Sequence, residues 1–365
     1  MAKKFDDVID FTLGDPDYST PDYIKEAAFD AIRNDMTKYS ANAGLLQLRQ
    51  VISKRVERET GILYNPDDEV MITVGGMEGI FLSLCCLINP GDEVIIPVPY
   101  WVNYKQMTEM LNGKPVLVEA HEENDFLITA IDLECAITEK TKAIIINSPN
   151  NPTGAVYDYG TLKEISEICK KHDIILIFDE CYKSIVYDGQ KFNTVLEFEN
   201  MKDHAIIINS LSKHYSMTGW RLGYLVGPAE IVSNLPKLQE NIAACAAVPS
   251  QHAAITALSG DETAADRMRS GFEKRRNLIV DSINKIDCLS CKYPKGTFYA
   301  WVNISKTGMK SEDFAYALLE AVQVAVVPGI TYGNCCDDYV RIAFTMNEEK
   351  ILEGVRRIKV FVDSL

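Results

Sequence analysis

The stretch that decides the fold is residues 210–224, which read Ser210-Leu211-Ser212-Lys213-His214-Tyr215-Ser216-Met217-Thr218-Gly219-Trp220-Arg221-Leu222-Gly223-Tyr224. It places Ser210 and Ser212 shortly before Lys213, and Arg221 eight residues after it. A lysine amine can form a Schiff base with an aldehyde, and serine hydroxyls and an arginine can hold a phosphate beside it. The stretch therefore predicts a site for a cofactor that carries both an aldehyde and a phosphate.

Other motifs occur in order along nearly the whole chain. They are Leu13-Gly14-Asp15-Pro16-Asp17, Lys38-Tyr39, Val74-Gly75-Gly76, Pro90-Gly91-Asp92-Glu93-Val94, Pro97-Val98-Pro99-Tyr100-Trp101, Asn147-Ser148-Pro149-Asn150-Asn151-Pro152-Thr153-Gly154, Phe178-Asp179-Glu180-Cys181-Tyr182, Pro294-Lys295-Gly296-Thr297-Phe298-Tyr299 and Val340-Arg341-Ile342-Ala343-Phe344. With the lysine stretch, this series resembles the class I (and II) aminotransferases of fold-type I, near the bacterial aspartate and aromatic subgroup. The resemblance implies pyridoxal 5′-phosphate (PLP) as the cofactor.

Short apolar runs alternate with helical patterns, which predicts an α/β fold. The candidate strands are 70–74, 93–97, 143–147, 174–178, 206–209 and 223–226. Several are β-branched and apolar throughout, as expected for strands buried on both faces of a mostly parallel sheet. The resemblance implies a fold-type I PLP-dependent transferase, whose large domain has a mostly parallel seven-stranded sheet flanked by helices.

Helical patterns lie between the candidate strands. Residues 161–172 carry apolar side chains at helical spacing, and a long charged pattern covers about 261–285. By resemblance, the long helix links two domains. We expect a large PLP-binding domain at 36–260 and a smaller, discontinuous α/β domain formed by 1–35 and 261–365.

Most motif residues follow a candidate strand directly. In open α/β sheets, ligands bind at the carboxyl ends of strands, so these residues could converge on one crevice. Lys213 would hold PLP as a Schiff base and then, as a free amine, carry a proton between the substrate Cα and C4′ of the cofactor. An isolated lysine is more often a surface residue, but the flanking serines and Arg221 favour the catalytic interpretation.

The resemblance places further residues around the cofactor ring. Asp179 would face the pyridine nitrogen and keep it protonated, so that the ring withdraws electrons; the alternative is an aspartate that caps a turn. Tyr182 and Asn151 would hydrogen-bond the phenolic oxygen, although Asn151 also lies in a good turn sequence. Trp101 would stack on the ring, with Tyr100 as the alternative.

A phosphate site is predicted where two glycines precede the helical pattern 77–88. The N-terminus of a helix offers free N–H groups to an anion, serines add hydroxyl donors and an arginine adds charge. The residues that we expect on this side of the cofactor are Gly75, Gly76, Met77, Ser210, Ser212 and Arg221.

Arg341 alternates with apolar residues on a candidate strand. Its side chain would point inward, where an unpaired charge is costly, and a substrate α-carboxylate would pair it; the alternative is a structural ion pair. By resemblance, Gly14 and Asn151 also belong to the substrate site. Tyr39 resembles the tyrosine that reaches the phosphate of the neighbouring subunit, which implies a homodimer.

Met77 stands where similar bacterial aspartate aminotransferases have a lysine that reaches the distal carboxylate of the substrate. A methionine cannot pair a carboxylate, so we expect a neutral or aromatic side chain to be favoured over aspartate. The expected reaction is ping-pong transfer of an amino group between an L-amino acid and a 2-oxo acid. Another PLP reaction, such as β-elimination by a C–S lyase or decarboxylation, stays open. A non-catalytic sensor is disfavoured, because Gly14 lies too near Met1 for a preceding DNA-binding module.

Composition excludes several partners. The net charge of −15 argues against nucleic-acid binding, and no apolar run approaches the roughly 20 residues of a membrane span. The ten cysteines show no disulfide or zinc spacing, and Cys169 and Cys245 lie in apolar runs. We therefore expect them to be buried small hydrophobes, with no metal site. The N-terminal residues show no signal peptide, which predicts a cytoplasmic protein.

Overall fold

The computed structural model describes residues 7–365. Its strands, in chain order, are β1 (Ile9–Asp10), β2 (Val70–Thr73), β3 (Glu93–Val98), β4 (Lys114–Glu119), β5 (Thr141–Asn147), β6 (Ile175–Asp179), β7 (Ala205–Ser210), β8 (Gly223–Val226), β9 (Ser290–Cys291), β10 (Tyr299–Asn303), β11 (Val324–Ala325), β12 (Val327–Pro328) and β13 (Tyr339–Ala343). Its α-helices are α1 (Asp22–Arg33), α2 (Leu46–Thr60), α3 (Gly76–Leu87), α4 (Asn103–Met110), α5 (Ala130–Ala136), α6 (Tyr159–His172), α7 (Leu211–His214), α8 (Ala229–Val232), α9 (Leu235–Ile242), α10 (Val248–Ser259), α11 (Thr263–Ile283), α12 (Ser311–Val322) and α13 (Glu348–Val362).

Seven strands form the large sheet, in the order β2-β8-β7-β6-β5-β3-β4. The five strands from β7 to β4 in this order are parallel, whereas β8 is antiparallel to both β7 and β2. The predicted α/β fold with a mostly parallel seven-stranded sheet is confirmed. All six candidate strands belong to this sheet, and β4 is the one that the sequence pattern did not indicate.

Both faces of the large sheet are covered. Along β5, Ile144 and Ile146 belong to one hydrophobic core, while Ala143 and Ile145 belong to another. Successive side chains of a strand point to opposite faces, so a strand buried on both sides is apolar at every position. This arrangement leaves the polar residues of the large sheet to the ends of its strands.

A second, smaller sheet has the order β12-β13-β10-β9, and β1 pairs with β11 beside it. Its core includes Phe272 of α11, Leu318 of α12 and Ile358 of α13. The domain boundaries at 36 and 261 stay a prediction. Within residues 1–35, β1 pairs with β11 of the predicted smaller domain, but α1 packs against α10 of the predicted large domain. Residues 1–6 of the predicted smaller domain lie outside the described residues.

The ten cysteines are free thiols. Only Cys169, Cys291 and Cys336 are buried, so the prediction of buried small hydrophobes was wrong for most of them, including Cys245. An apolar run on a helix still has an outward face, and Cys86 near the end of α3 lies on such a face. Between residues 7 and 365, no helix is long and apolar enough to cross a membrane, and no cluster of His, Cys, Asp or Glu could hold a metal ion.

Candidate active site

The carboxyl ends of β2, β5, β6 and β7 meet at a cavity of about 360 Å³. Most of the predicted site residues line it, namely Gly14, Gly76, Met77, Trp101, Asn151, Asp179, Tyr182, Ser210, Ser212, Lys213, Arg221 and Arg341. Arg341 lies on β13 of the smaller sheet and Gly14 follows β1. The cavity therefore lies between the two sheets, and we call it the front cavity.

Three further residues named by the sequence lie outside the wall of the front cavity. Gly75 borders it, because a Cβ atom there would lie 2.7 Å from Nη2 of Arg221. Tyr100 is buried elsewhere, so Trp101 is the aromatic residue of this pair that faces the cavity. Tyr39 is 88% exposed and reaches no wall of the front cavity in its own chain.

Asp179 is the last residue of β6 and is buried. Its Oδ2 accepts a hydrogen bond from the Tyr104 hydroxyl at 2.6 Å, and its Oδ1 accepts one from the Cys181 backbone N–H at 3.0 Å. Burial raises the pKa of Asp179, while these hydrogen bonds act against the rise. The result is a fixed carboxyl group at the floor of the cavity, suited to a protonated ring nitrogen.

Lys213 lies on α7, a single turn that follows β7 directly. Ser210 caps this turn, since its hydroxyl accepts the Ser212 backbone N–H at 3.2 Å. The Lys213 amine is half-buried and donates to the Gly14 carbonyl oxygen at 2.6 Å. Gly14 tolerates no side chain, because a Cβ atom would lie 2.0 Å from the Tyr299 hydroxyl. The structure thus places Gly14 beside the lysine, while its predicted contact with a substrate stays a prediction.

The start of α3 is open to an anion. Gly75 is the N-cap, has a positive φ of 82° and offers no side-chain cap to the helix. Arg221 lies beside it, and its guanidinium makes one hydrogen bond among residues 7–365, to the Thr218 carbonyl oxygen at 3.1 Å. The hydroxyls of Ser210 and Ser212 are 2.9 Å apart on the same wall. Free N–H groups, hydroxyls and an arginine without a carboxylate partner suit a phosphate.

Arg341 is buried on β13 and its guanidinium faces the front cavity. It donates to Oδ1 of Asn151 at 3.0 Å and to the Thr12 carbonyl oxygen at 2.7 Å, and it lies 4.3 Å from the centroid of the Tyr299 ring. Its Nε is buried and has no partner within the described chain. The structural ion pair considered as an alternative does not form there, so the charge is free for a carboxylate ligand.

Tyr182 has its hydroxyl 2.9 Å from the Tyr299 hydroxyl. Burial, followed by the neighbouring Tyr299, raises the pKa of Tyr182 well above its usual value. The group is therefore a neutral phenol that can both donate and accept a hydrogen bond. Its neighbour Cys181 also lines the cavity, and burial raises the pKa of that thiol, so it is neutral too.

A known protein family and solved structures match this chain along nearly its whole length. The family model described as aminotransferase class I and II matches residues 6–358. This chain belongs to the class I and II aminotransferases. It is 38% identical to an aspartate aminotransferase of Geobacillus stearothermophilus and 37% identical to aromatic-amino-acid aminotransferase 2 of Thermococcus litoralis, in each case over 98% of this chain and 92% of the relative. The crystal structure of an aromatic aminotransferase from Pyrococcus horikoshii OT3 matches 99% of this chain and 97% of its own, with a TM-score of 0.96 and 36% identity.

The aminotransferase is a PLP-dependent enzyme, as its family implies, and its front cavity fits that cofactor. The open start of α3 with Arg221 suits the phosphate, and the buried Asp179 suits the ring nitrogen. The half-buried amine of Lys213 lines the same cavity and suits the aldehyde. The described wall therefore already provides all three kinds of contact.

Sequence reasoning missed several residues of the front cavity. Tyr104 holds Asp179, and Tyr299 contacts Tyr182 and Arg341, yet neither received a role from the sequence. Tyr104 lies three residues after Trp101, within the first turn of α4. Tyr299 ends a motif that the sequence analysis had already singled out, and that was the available signal.

Proposed function

We propose that this aminotransferase moves the amino group of a neutral or aromatic L-amino acid to a 2-oxo acid by a ping-pong mechanism. The observation that carries the proposal is the distribution of cations on the described wall of the front cavity. Only Lys213, Arg221 and Arg341 are cationic there. Lys213 would bind the cofactor aldehyde, Arg221 the cofactor phosphate and Arg341 the α-carboxylate of the substrate. No cation on the described wall is then left for a second substrate carboxylate.

Met77 occupies the position beside the phosphate site where a further cation would be needed. Its side chain is 41% exposed and shares this wall with Ile80 and Trp101. Removing a second carboxylate from water without a partner costs several kcal/mol, as a rule about 2–7 for a polar group and more for a charge. An apolar or aromatic substrate side chain avoids this cost.

The residues of the chain divide the work of the reaction. When bound, PLP supplies an electron sink for the charge that develops on the substrate Cα. Arg341 holds the α-carboxylate through a planar, two-pronged contact and so orients the Cα–H bond. The amine of Lys213 would take the proton from the substrate Cα, and the carboxylate of Asp179 would hold the proton of the ring nitrogen. Tyr182 and Asn151 would hydrogen-bond the phenolic oxygen.

The proposal includes a homodimer and a reducing, cytoplasmic setting. Tyr39 is too exposed for a tyrosine that packs only within its own chain, which supports a role at the site of a neighbouring subunit. Ten free cysteines support a reducing compartment. The net charge of −15 supports small-molecule partners rather than nucleic acid.

The substrate preference can be measured directly. We expect kcat/KM for phenylalanine, alanine or methionine to exceed that for aspartate by about 10²-fold, because of the unpaired carboxylate. Met77→Lys should move the preference toward aspartate. Met110→Lys is the matched control, since it adds the same charge at an exposed methionine outside the front cavity.

Two results would contradict parts of this proposal. A wild-type enzyme that prefers aspartate would remove the assigned preference but leave the aminotransferase activity untouched. Initial-rate plots at several oxo-acid concentrations should give parallel lines, as a ping-pong mechanism requires. Intersecting lines would show that both substrates bind before any product leaves.

A further inference from the structure

A second cavity, of about 330 Å³, shares no lining residue with the front cavity. Glu180, Asn209 and His214 line it, and the residue next to each of them in the sequence lines the front cavity. Successive side chains along a strand point to opposite faces, which explains the first two of these pairs at the ends of β6 and β7. The second cavity is therefore built on the backbone that carries the reacting groups.

His214 is the last residue of α7 and the direct neighbour of Lys213. Its Nε2 lies 2.5 Å from Oε2 of Glu262, the residue that precedes α11. Its ring packs against Tyr215 with 4.2 Å between the centroids, and the Tyr215 hydroxyl donates to Oε1 of Glu262 at 3.2 Å. The last residue of α7 and the residue that follows it thus hold the same carboxylate.

The carboxylate of Glu262 is one end of a chain of charges along the second cavity. Arg55 of α2 lies 2.9 Å from it and 2.8 Å from Glu59 on the same helix. Glu59 lies 2.8 Å from Lys183, which lies 3.7 Å from Glu180. The last member of this chain of charges, Glu180, directly follows Asp179 in the sequence. The chain of charges therefore connects the segment that contains Lys213 to the segment that contains Asp179.

Three of the five members of this chain of charges are largely buried. Arg55, Lys183 and Glu180 expose 6%, 15% and 4% of their side chains. A rotation of α7 away from Glu262 is opposed, because it would break the hydrogen bonds of His214 and Tyr215 to a carboxylate, and hydrogen bonds to charged groups are the strong ones. Although burial alone would raise it, the hydrogen bond from His214 and the charge of Arg55 hold the pKa of Glu262 at about 2. Glu262 is therefore a carboxylate at neutral pH.

We propose that His214 is a positioning residue for Lys213, with the chain of charges from Glu262 to Glu180 as its anchor. A helix of only four residues has too few hydrogen bonds of its own to fix its orientation relative to the sheet. Its orientation therefore depends on contacts with the rest of the protein. The contact with Glu262 adds a constraint at the end of the turn next to Lys213, whereas the start of the turn is held by the hydrogen bond from the Leu211 N–H to the Leu222 carbonyl oxygen. The amine of Lys213 is thereby held at the distance and angle needed for proton transfer at the substrate Cα.

This inference rests on the proposed role of Lys213 and predicts a change in kcat without a change in KM. His214→Phe keeps an aromatic ring against Tyr215 but removes the N–H donor. We expect kcat to fall about 10-fold, because small misplacements of a reacting group are costly, and KM to stay within about twofold, because Arg341 is untouched. His214→Gln restores an N–H donor and should recover kcat to within about threefold of wild type.

The chain offers a matched control. His172 also pairs with a glutamate, Glu134, at 3.0 Å, but on the surface and outside the lining of both cavities. His172→Phe should leave kcat and KM unchanged. Should His214→Phe fail to fold, Glu262→Gln removes the charge and keeps the shape, and we expect it to lower kcat severalfold, again at constant KM.

Hydrogen exchange gives a readout that does not depend on turnover. The backbone N–H groups of Tyr215 and Met217 close the turn by bonding to Leu211 and Ser212. In the purified enzyme, we expect these amides to exchange at least about 10-fold faster in His214→Phe than in wild type or His172→Phe. Faster exchange with unchanged kcat would reduce His214 to a structural residue and overturn the proposal, as would unchanged exchange. If Lys213→Ala kept full activity, the proposed role of Lys213 would fail, whatever the exchange data show.

Discussion

At the scale of single residues, the Tyr104 hydroxyl orients the Asp179 carboxyl group in the front cavity and favours its charged form. It donates to the carboxyl group at 2.6 Å, and burial keeps Tyr104 itself a neutral phenol by raising its pKa. A hydrogen bond to a charged group contributes about 1.5–3 kcal/mol, so its loss would favour the protonated form of Asp179. A protonated Asp179 can no longer hold the proton of a ring nitrogen.

Tyr104→Phe should therefore lower kcat about 3- to 10-fold, with little change in KM. Losing the donor raises the pKa of Asp179 further, and the charged form is the one required. The acid limb of the kcat profile should consequently move to higher pH. Tyr100→Phe, which removes a hydroxyl outside the front cavity, is the control, and equal profiles for the two variants would contradict this role of Tyr104.

Residues with their own motif could be predicted from the sequence, and the contacts that orient them could not. Lys213, Asp179 and Arg341 stand in stretches whose residue types suit one chemistry, and all three line the front cavity. Tyr104 contacts Asp179, which is 75 residues away, and Tyr299 contacts Tyr182, which is 117 residues away, as well as Arg341. Such contacts depend on how α4 and β10 pack, which no local pattern contains.

At the scale of secondary-structure elements, burial explains which strands the pattern reveals. The six strands found in advance are largely apolar, as in the interior of a parallel sheet. β4 is one of the two edge strands, pairs only with β3 among the described residues, and contains Lys114, Pro115 and Glu119 among partly exposed residues. The other edge strand, β2, is buried at all four positions. Charged and proline residues are typical of edge strands and hide the apolar pattern on which the other predictions depended.

Helix α2 carries a charge whose contribution to stability depends on pH. Burial would raise the pKa of Glu59, but Lys183 and Arg55 lower it below its usual value of 4.5. A carboxyl group with a lowered pKa stabilises the folded state above its unfolded pKa and loses that contribution as the pH falls. The free energy of unfolding should thus fall from about pH 5 toward pH 3, and less steeply in Glu59→Gln.

Urea unfolding at several pH values would check this expectation. Glu57→Gln is the matched control, because Glu57 lies two residues away on the same helix and is exposed. Its pH dependence should equal that of the wild type. If Glu59→Gln showed the full acid-induced loss as well, the ion pairs of α2 would not contribute to the stability of the fold.

At the scale of the whole molecule, the order of motifs predicted the family and the fold, whereas the domain boundaries stay a prediction. The front cavity draws on β13 and on residues after β1 as well as on the large sheet, so it needs both parts of the chain. What one chain cannot show is a residue that acts in another copy. Tyr39 is such a candidate, because its exposure of 88% leaves its aromatic ring without a role in its own chain.

Hybrid dimers would test whether Tyr39 completes the site of a partner. Lys213→Ala and Tyr39→Ala chains, co-expressed with different affinity tags, can be purified as a dimer that contains one of each. One of its two sites then has an intact Lys213 and receives Tyr39 from the other chain, so we expect about half of the wild-type activity. Each variant alone should be impaired, by about 10³-fold or more for Lys213→Ala. A hybrid of Lys213→Ala with Arg221→Ala should gain nothing, because Arg221 and Lys213 line the same cavity of one chain. If the Tyr39 hybrid were no more active than Tyr39→Ala itself, each site would be built from one chain only.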